Sequence, residues 1–242
     1  MKLLLQPRIQ KNGIYFIDIG DTRLPIKITK RRKSRRLVVR YQPIKKSLSL
    51  TLPQATSIKQ GLHFVNEKRE WIAKQLLQYT DSQPLSDNSI IPIFGKETRM
   101  EHAGGRGTIT EENGILKIHG DIEFMARRVK KYLVDKLKSE ITILVKSNAV
   151  KLGVKTGSIT LRDTSSRWAS CSFDGNLSFS WRLVFAPYEV ISYIVAHEVA
   201  HIKEHNHSAA FWKLVEELYP DYSKSEEWLK KNGRSLYNYN IT

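Results

Sequence analysis

The chain has 242 residues, enough for one large domain or two small ones with a buried core. Its apolar fraction of 40% is ordinary for a globular protein, and its apolar runs are too short to cross a bilayer. A single cysteine, Cys171, excludes an internal disulfide and a cysteine-rich zinc cluster. Because the amino terminus also lacks the pattern of a signal peptide, we expect a cytoplasmic protein without a membrane segment.

The net charge of +16 is concentrated in the first part of the chain. Residues 1–100 carry 20 Lys and Arg against 7 Asp and Glu, a net charge of +13. The stretch from Lys27 to Lys46 has no acidic residue, and such a run can neutralise the phosphates of nucleic acid. The alternative is a solvated strand edge whose cations prevent pairing between sheets. Both interpretations stay open, because no recognised nucleic-acid-binding motif accompanies the charge.

The first 80 residues are predicted to form a basic, mainly β region with one helix. Short runs of β-branched, aromatic or alternating residues predict strands at Ile14–Ile19, Arg36–Tyr41 and Ser47–Leu52. Ser57 suits the N-cap of a helix that extends to about Tyr79. The polar stretch Thr80–Asn88 then predicts a linker.

Residues 89–242 are predicted to form a second domain in which helices follow short strands. Strands are predicted at Ile90–Phe94, Ile115–His119, Ser158–Arg162 and Leu177–Phe185. The glycine cluster at Gly104–Gly107 favours a hairpin loop, because no strand-to-helix context for a phosphate loop follows it. Apolar residues at helical spacing predict a long amphipathic helix over Ile122–Leu152, with Gly153 as its stop. Pro187 suits the first turn of the next helix.

That next helix contains two histidines and a glutamate in the pattern HExxH, residues 197–201. Residues four apart share one face of a helix, so the imidazoles of His197 and His201 can bind one cation, with Glu198 beside them. Two or three imidazoles plus a water suit Zn²⁺, which lowers the pKa of that water to about 7. Glu198 can then act as the general base in the hydrolysis of a peptide bond.

A catalytic zinc usually needs a third protein ligand. His207 lies between Asn206, which can adopt a left-handed conformation at a helix end, and Ser208, which can cap the following helix. A short turn can therefore return the imidazole of His207 to the metal. The alternatives are His205, Glu216 and Glu217.

Several short segments of the carboxy-terminal hundred residues match a known family. They are Ser166–Ser172 (SRWASCS), Trp181–Leu183 (WRL), His197–His201 (HEVAH), Asn206–Ser208 (NHS), Phe211–Trp212, Pro220–Tyr222 (PDY) and Trp228–Lys231 (WLKK). On these residues the chain resembles the YgjP-like metallopeptidases, which are related to the SprT-like and WLM groups. The likeness covers most of the chain, since the basic opening, the strand SLSLTL and the helix with Trp71 also match. One departure is Ala169, where the family usually has glycine.

The resemblance implies an α+β fold in which the mainly β portion, residues 1–80, precedes a zincin-like metallopeptidase domain, residues 89–242. That domain would contain a long helix, a small sheet, the HExxH helix and further helices. The resemblance also implies one Zn²⁺ per chain, held by His197, His201 and His207, with Glu198 as the general base.

Three more residues are candidates for binding substrate. Trp168 lies in a segment that, together with the strand at Leu177–Phe185, can form a sheet edge for an extended substrate. The equally simple alternative is a structural hairpin with its tryptophans in the core. Arg182 and Tyr222 are candidate donors to the oxyanion of the transition state. Cys171 has no identifiable basic partner, so we expect a buried small residue rather than a nucleophile.

We therefore expect a zinc metallopeptidase, a hydrolase that acts on a protein or peptide substrate as an endopeptidase or an aminopeptidase. The first alternative is a basic, nucleic-acid-associated protein whose zinc site acts on DNA- or RNA-bound proteins. The second is a zinc site that is only structural. The intact Glu198 argues against this second alternative, because a scaffold needs no general base.

Overall fold

In the computed structural model, strands predominate before residue 120 and helices after it. The structure describes residues 8–9, 14–78, 85–165, 167–239 and 241, and the chain forms two compact units, Met1–Asp81 and Ser82–Thr242. This distribution confirms the α+β class. Most of the predicted linker, and the predicted helix end at Tyr79, lie outside the described residues. Within the described ranges, no helix combines the length and the apolar character needed to span a bilayer.

The first unit contains a five-stranded sheet in the order β1-β2-β3-β5-β4. Its strands are β1 (Arg8–Ile9), β2 (Tyr15–Ile19), β3 (Thr22–Arg31), β4 (Val38–Gln42) and β5 (Ser47–Pro53). Neighbouring strands are antiparallel except β3 and β5, which are parallel. The predictions for β2, β4 and β5 are confirmed to within two residues, whereas β3 was not predicted. Its proline, Pro25, precedes the part of β3 that pairs with β5. The pairing between β3 and β5 therefore loses no backbone N–H donor.

Two helices, α1 (Ile58–Glu67) and α2 (Arg69–Gln78), follow this sheet. The sequence predicts one helix, but Lys68 has φ −89° and ψ 13° and divides it. Ser57 is the N-cap, as predicted: its hydroxyl accepts a hydrogen bond from the backbone N–H of Gln60. The Gln60 side chain in turn accepts one from the backbone N–H of Ser57, which completes a capping box.

The helices pack on the face of the sheet that carries its alternate apolar residues. The shared core contains Ile17, Leu24, Ile26, Leu48, Leu50 and Leu52 from the strands, with Val65 and Ile72 from the helices. Gly61 is needed at the contact between α1 and β5, because a Cβ at this position would lie 2.6 Å from Cδ2 of Leu52. The absence of a side chain on Gly61 thus lets the helix approach the strand.

The second unit begins with a four-stranded sheet in the order β6-β7-β9-β8. Its strands are β6 (Ile90–Ile93), β7 (Lys96–His102), β8 (Thr110–Glu112) and β9 (Ile115–Ile118). Two of them, β6 and β9, confirm predicted strands. The hairpin expected at Gly104–Gly107 is wrong, because this loop joins β7 to β8, and these strands lie on opposite sides of β9. The short, charged strands β7 and β8 carry too little apolar alternation to be predicted.

The long helix α3 (Met125–Leu152) follows a 3-10 turn at Ile122–Phe124. Its buried stripe consists of Met125, Val129, Leu133, Leu137, Ile141 and Val145. The four-residue spacing of this stripe confirms the predicted amphipathic helix. Gly153 ends the helix with φ 63°, a left-handed conformation that favours glycine.

A three-stranded sheet in the order β10-β12-β11 precedes the last helices. Its strands are β10 (Ile159–Arg162), β11 (Ala169–Cys171) and β12 (Leu177–Ser180), and β11 forms one edge. The strand predicted to continue to Phe185 ends at Ser180, since Trp181–Phe185 is a buried 3-10 helix. A buried run of this kind shows no polar alternation, so periodicity cannot distinguish it from a strand.

Three helices complete the second unit: α4 (Tyr188–Ala200), α5 (Ala209–Leu218) and α6 (Tyr222–Asn232). As predicted, Pro187 immediately precedes the first turn of α4. Helix α4 packs against α3, α5, α6 and the edge strand β11. Most of its residues are therefore buried, and its carboxy-terminal end carries the HExxH motif.

Candidate metal centre

The HExxH motif lies at the carboxy-terminal end of α4, where an apolar helix leaves the core. His197 is half-buried, Glu198 is buried, and His201 is the first residue after the helix, with φ −62° and ψ −16°. Since His201 keeps nearly helical backbone angles, its ring remains on the same face as the ring of His197, and the two ring centroids lie 4.9 Å apart.

The loop after α4 brings a third imidazole to the first two. The ring centroid of His207 lies 5.1 Å from that of His197 and 4.8 Å from that of His201. Asn206 does not have the left-handed backbone that the sequence suggested; its Oδ1 accepts a hydrogen bond from the backbone N–H of Ser208 instead. Ser208 caps α5, as expected, by accepting a hydrogen bond from the backbone N–H of Phe211.

The distances between the three imidazoles fit a bound metal ion. One nitrogen from each ring can be chosen so that all three lie within 4.8 Å of one another. The Nε2 atoms of His197 and His207 are 3.2 Å apart. Two nitrogens that each lie 2.0–2.1 Å from a tetrahedral zinc are separated by roughly 3.3 Å. The spacing is therefore the one that two ligands of a single cation would have.

The hydrogen bond that His201 makes also suits a metal ligand. Nδ1 of His201 lies 2.9 Å from the carbonyl oxygen of Glu204, which can only accept, so Nδ1 carries the proton. Nε2 of His201 is then left with a free lone pair, the usual arrangement in which a carbonyl orients a metal-binding histidine. Nδ1 of His197 is buried without a hydrogen-bond partner.

The surroundings of His197 and His201 favour the neutral form of each imidazole. The pKa of His197 is lowered to about 4, mainly by burial and also by the nearby His201 and His207. Burial also lowers the pKa of His201. A histidine must be deprotonated at the binding nitrogen to hold a metal, so this environment prepares the site for a cation.

Aromatic rings form the wall behind the histidines. The ring of Phe211 stacks on His201 at 4.4 Å between centroids, and those of Tyr193 and Trp212 each lie 5.9 Å from His197. Such a wall excludes water from the inner side of the site and holds the imidazoles in position.

Glu198 is 6% exposed, and burial raises the pKa of its carboxyl to about 7. The positive charge of Arg167 acts in the opposite direction and favours the carboxylate. A carboxyl group whose pKa lies near neutrality is suited to accept a proton and then release it. The arrangement therefore brings a carboxyl group with a pKa near neutrality to the same end of α4 as two of the three imidazoles.

A groove of about 760 Å³ runs along the sheet β10-β12-β11. Its lining includes Thr160, Arg167, Ala169, Ser170, Cys171 and Asn176. Arg167 and Cys171 also interact electrostatically with Glu198, so the groove borders the metal centre. Ala169 lies in β11 without a positive φ, so alanine fits where the family usually has glycine.

The other candidate ligands stay outside the triad. Glu216 and Glu217 are exposed on α5 and do not belong to the group of ligand atoms within 4.8 Å. His205 is exposed, and its ring contacts Phe173 at 4.4 Å between centroids.

Cys171 is half-buried rather than buried, and burial raises the pKa of its thiol to about 11, which disfavours the nucleophilic thiolate.

The three residues suggested for substrate binding have different environments. Trp168 packs on Tyr237 at 5.1 Å and against Gly233, contacts that favour a structural hairpin. Tyr222 stacks on Trp212 at 5.3 Å and so belongs to the aromatic wall of the site.

Arg182, the third of these residues, is 5% exposed, and its guanidinium group already donates hydrogen bonds within the protein. Its Nε donates to Oδ1 of Asp163 at 2.9 Å, and its Nη1 donates to the carbonyl of Tyr239 at 3.0 Å. These contacts give Arg182 a role in packing and lend no support to an oxyanion donor.

The cation that acts on Glu198 is Arg167, which the spacing of the motifs did not single out. Tyr193, four residues before His197 on α4, could have been found from helical spacing.

Known proteins similar to this chain include a metallopeptidase family and a solved structure. A family model described as the YgjP-like metallopeptidase domain matches residues 35–232. Among solved structures, the chain is similar to the metallopeptidase zymogen abylysin of Pyrococcus abyssi, with 25% identity and a TM-score of 0.36. That match covers 39% of this chain and 96% of abylysin. Comparison with curated proteins gives no significant match.

Proposed function

Because the chain belongs to the YgjP-like metallopeptidase family, we propose that it is a zinc-dependent peptidase in which His197, His201 and His207 hold one Zn²⁺. The observation that supports this proposal best is the 3.2 Å separation of the Nε2 atoms of His197 and His207. Three imidazoles with an open fourth position are the donor set of a catalytic rather than a structural zinc.

When bound, zinc supplies a Lewis acid that polarises a peptide carbonyl and lowers the pKa of water. Glu198 is the general base in this proposal: its carboxylate accepts a proton from the attacking water and returns that proton to the leaving amine. Its raised pKa of about 7 suits both halves of this cycle. Arg167 keeps a useful fraction of Glu198 ionised by opposing the effect of burial.

The substrate is proposed to bind as an extended peptide along β11. This strand is paired with β12 on one side only, packs against α4, and contributes all three of its residues to the groove beside Glu198. An extended chain that adds to a free strand edge gains main-chain hydrogen bonds whatever its side chains are. Tyr222, in the aromatic wall, is a candidate contact for a substrate side chain.

The test combines metal analysis with a cleavage assay. Purified protein reconstituted with zinc should contain one Zn²⁺ per chain and cleave members of a random peptide library. Glu198→Gln should keep the zinc and lose cleavage, whereas Glu217→Gln, an exposed glutamate on α5, should keep both. Zinc bound without cleavage in the wild type would instead indicate a structural site. Less than one zinc per chain after reconstitution would refute the proposal.

A further inference from the structure

A second groove lies in the first unit and shares no lining residue with the groove beside the metal centre. It has a volume of about 430 Å³ and lies between the edge strand β4 and the helices α1 and α2. Its lining includes Arg36, Leu37, Val39, Phe64, Lys68 and Trp71. The peptidase activity proposed above gives this groove no role.

The groove is strongly cationic. Residues 1–81 carry 18 Lys and Arg against 5 Asp and Glu, a net charge of +13. The groove is lined by Arg36 and Arg40 from the strand side and by Lys68 from the junction of the helices. In the part of the chain that the structure describes, no carboxylate lies within 4 Å of these three cations. Their charge is therefore available to an anionic ligand.

The surface between the cations is apolar and partly aromatic. Trp71, on α2, is 38% exposed although it is a large hydrophobic residue. Phe64 is half-buried, and the Nζ atom of Lys68 lies over its ring at 5.7 Å from the centroid. Leu37 and Val39 are half-buried as well. Cations around an exposed aromatic ring are the features that bind a phosphate backbone together with its bases.

We propose that this groove binds single-stranded nucleic acid, with phosphates at Arg36, Arg40 and Lys68 and a base stacked on Trp71. A single strand is preferred because the bases of a duplex are stacked on one another and leave no free face for the tryptophan. The run of cations in the turn that leads into β4, from Arg31 to Arg36, extends the positive surface beyond one end of the groove. This proposal goes beyond the peptidase activity and does not depend on it.

The first test measures binding of fluorescein-labelled dT12 to the full-length protein by anisotropy, over a series of salt concentrations. Lys68→Gln should make the slope of log K against log salt shallower by about 0.7, the value for one lost phosphate contact on a single strand. Lys74→Gln removes an exposed lysine of α2 that does not line the groove, so its slope should equal that of the wild type.

The second test separates stacking from charge. Trp71→Ala should weaken dT12 binding at least fivefold with an unchanged salt slope, and Trp71→Phe should restore most of the affinity. Thermal unfolding of both variants checks that the first unit remains folded. The proposal would be overturned if a 12-base-pair duplex bound as tightly as dT12, or if polyglutamate at matched charge competed as well as dT12. Either result would favour a general polyanion or acidic-peptide surface. Loss of binding in Lys74→Gln equal to that in Lys68→Gln would also overturn it.

Discussion

Nε2 of His197 and Nε2 of His207 lie 3.2 Å apart, although a helix end and nine residues separate them in the chain. The loop between them begins at the end of α4 and finishes at the cap of α5, so both of its ends are fixed by helices. The third imidazole therefore reaches the other two by way of a short loop anchored at each end, and not by continuation of the helix.

If His207 is a zinc ligand, then His207→Ala should lower zinc affinity by more than the 10–100-fold typical of residues that only orient a ligand. His205→Ala is the matched control, because His205 lies in the same loop between α4 and α5 and contacts Phe173 instead. Competition with a fluorescent chelator measures both affinities. Equal losses in the two variants would contradict the assignment of His207.

The cap of α5 should influence the metal site, whereas the cap of α1 should not. Both Ser208→Ala and Ser57→Ala remove a hydroxyl that accepts a hydrogen bond from the first turn of a helix, at a cost of about 1 kcal/mol in stability. Ser208 directly follows His207, so its loss should also weaken zinc binding by a few fold. Unchanged zinc affinity in Ser208→Ala would show that the cap does not position His207.

Glu198 should destabilise the metal-free protein at neutral and alkaline pH. Burial raises its pKa from 4.5 to about 7, so between these values the folded protein retains a proton that the unfolded chain has lost. Stability must then fall as pH rises through this window, by on the order of 3 kcal/mol in total. Glu198→Gln removes this cost. The variant should therefore be more stable than the wild type at pH 8 and equally stable near pH 4.

Urea unfolding in the presence of a chelator measures this difference. The Glu217→Gln variant serves as the control, since Glu217 is exposed and should show no such dependence. A stability difference between Glu198→Gln and the wild type that does not change with pH would contradict the explanation.

Arg167 should set the acidic limit of activity. Its charge lowers the pKa of Glu198, so Arg167→Gln should raise that pKa and move the acidic limb of the kcat/KM profile to higher pH. Activity at pH 9 should change much less. Arg162→Gln is the control, because Arg162 lines the same groove but does not perturb Glu198. A uniform loss across the pH range would indicate that Arg167 binds substrate instead.

Short-range patterns predicted much of this structure, and long-range pairing explains what they did not predict. The spacing of His197 and His201 and the capping residue Ser57 depend on neighbours within four residues, and these predictions agree with the structure. Arg182 was a candidate for the site because its partner Asp163, 19 residues earlier, cannot be identified from sequence. Strand β3 pairs with its sequence neighbour β2 and also with β5, and the second pairing cannot be inferred from local sequence.

The influence of Arg167 on Glu198 was not predicted for a similar reason. The two residues are 31 positions apart, and Arg167 lies two residues before β11, the strand that packs against α4. Sequence periodicity describes one element at a time, so it locates the histidines of one helix but not the cation that acts on Glu198 from the loop before a neighbouring strand.

The carbonyl of Glu204 that holds Nδ1 of His201 has a consequence for ligand preference. A carboxylate in that place would pass negative charge to the imidazole, whereas a neutral carbonyl does not. With three uncharged ligands, a bound divalent cation would keep its double positive charge. Such a centre should attract anionic chelating groups, so hydroxamate and phosphonate analogues of peptides should inhibit this protein more strongly than neutral ones.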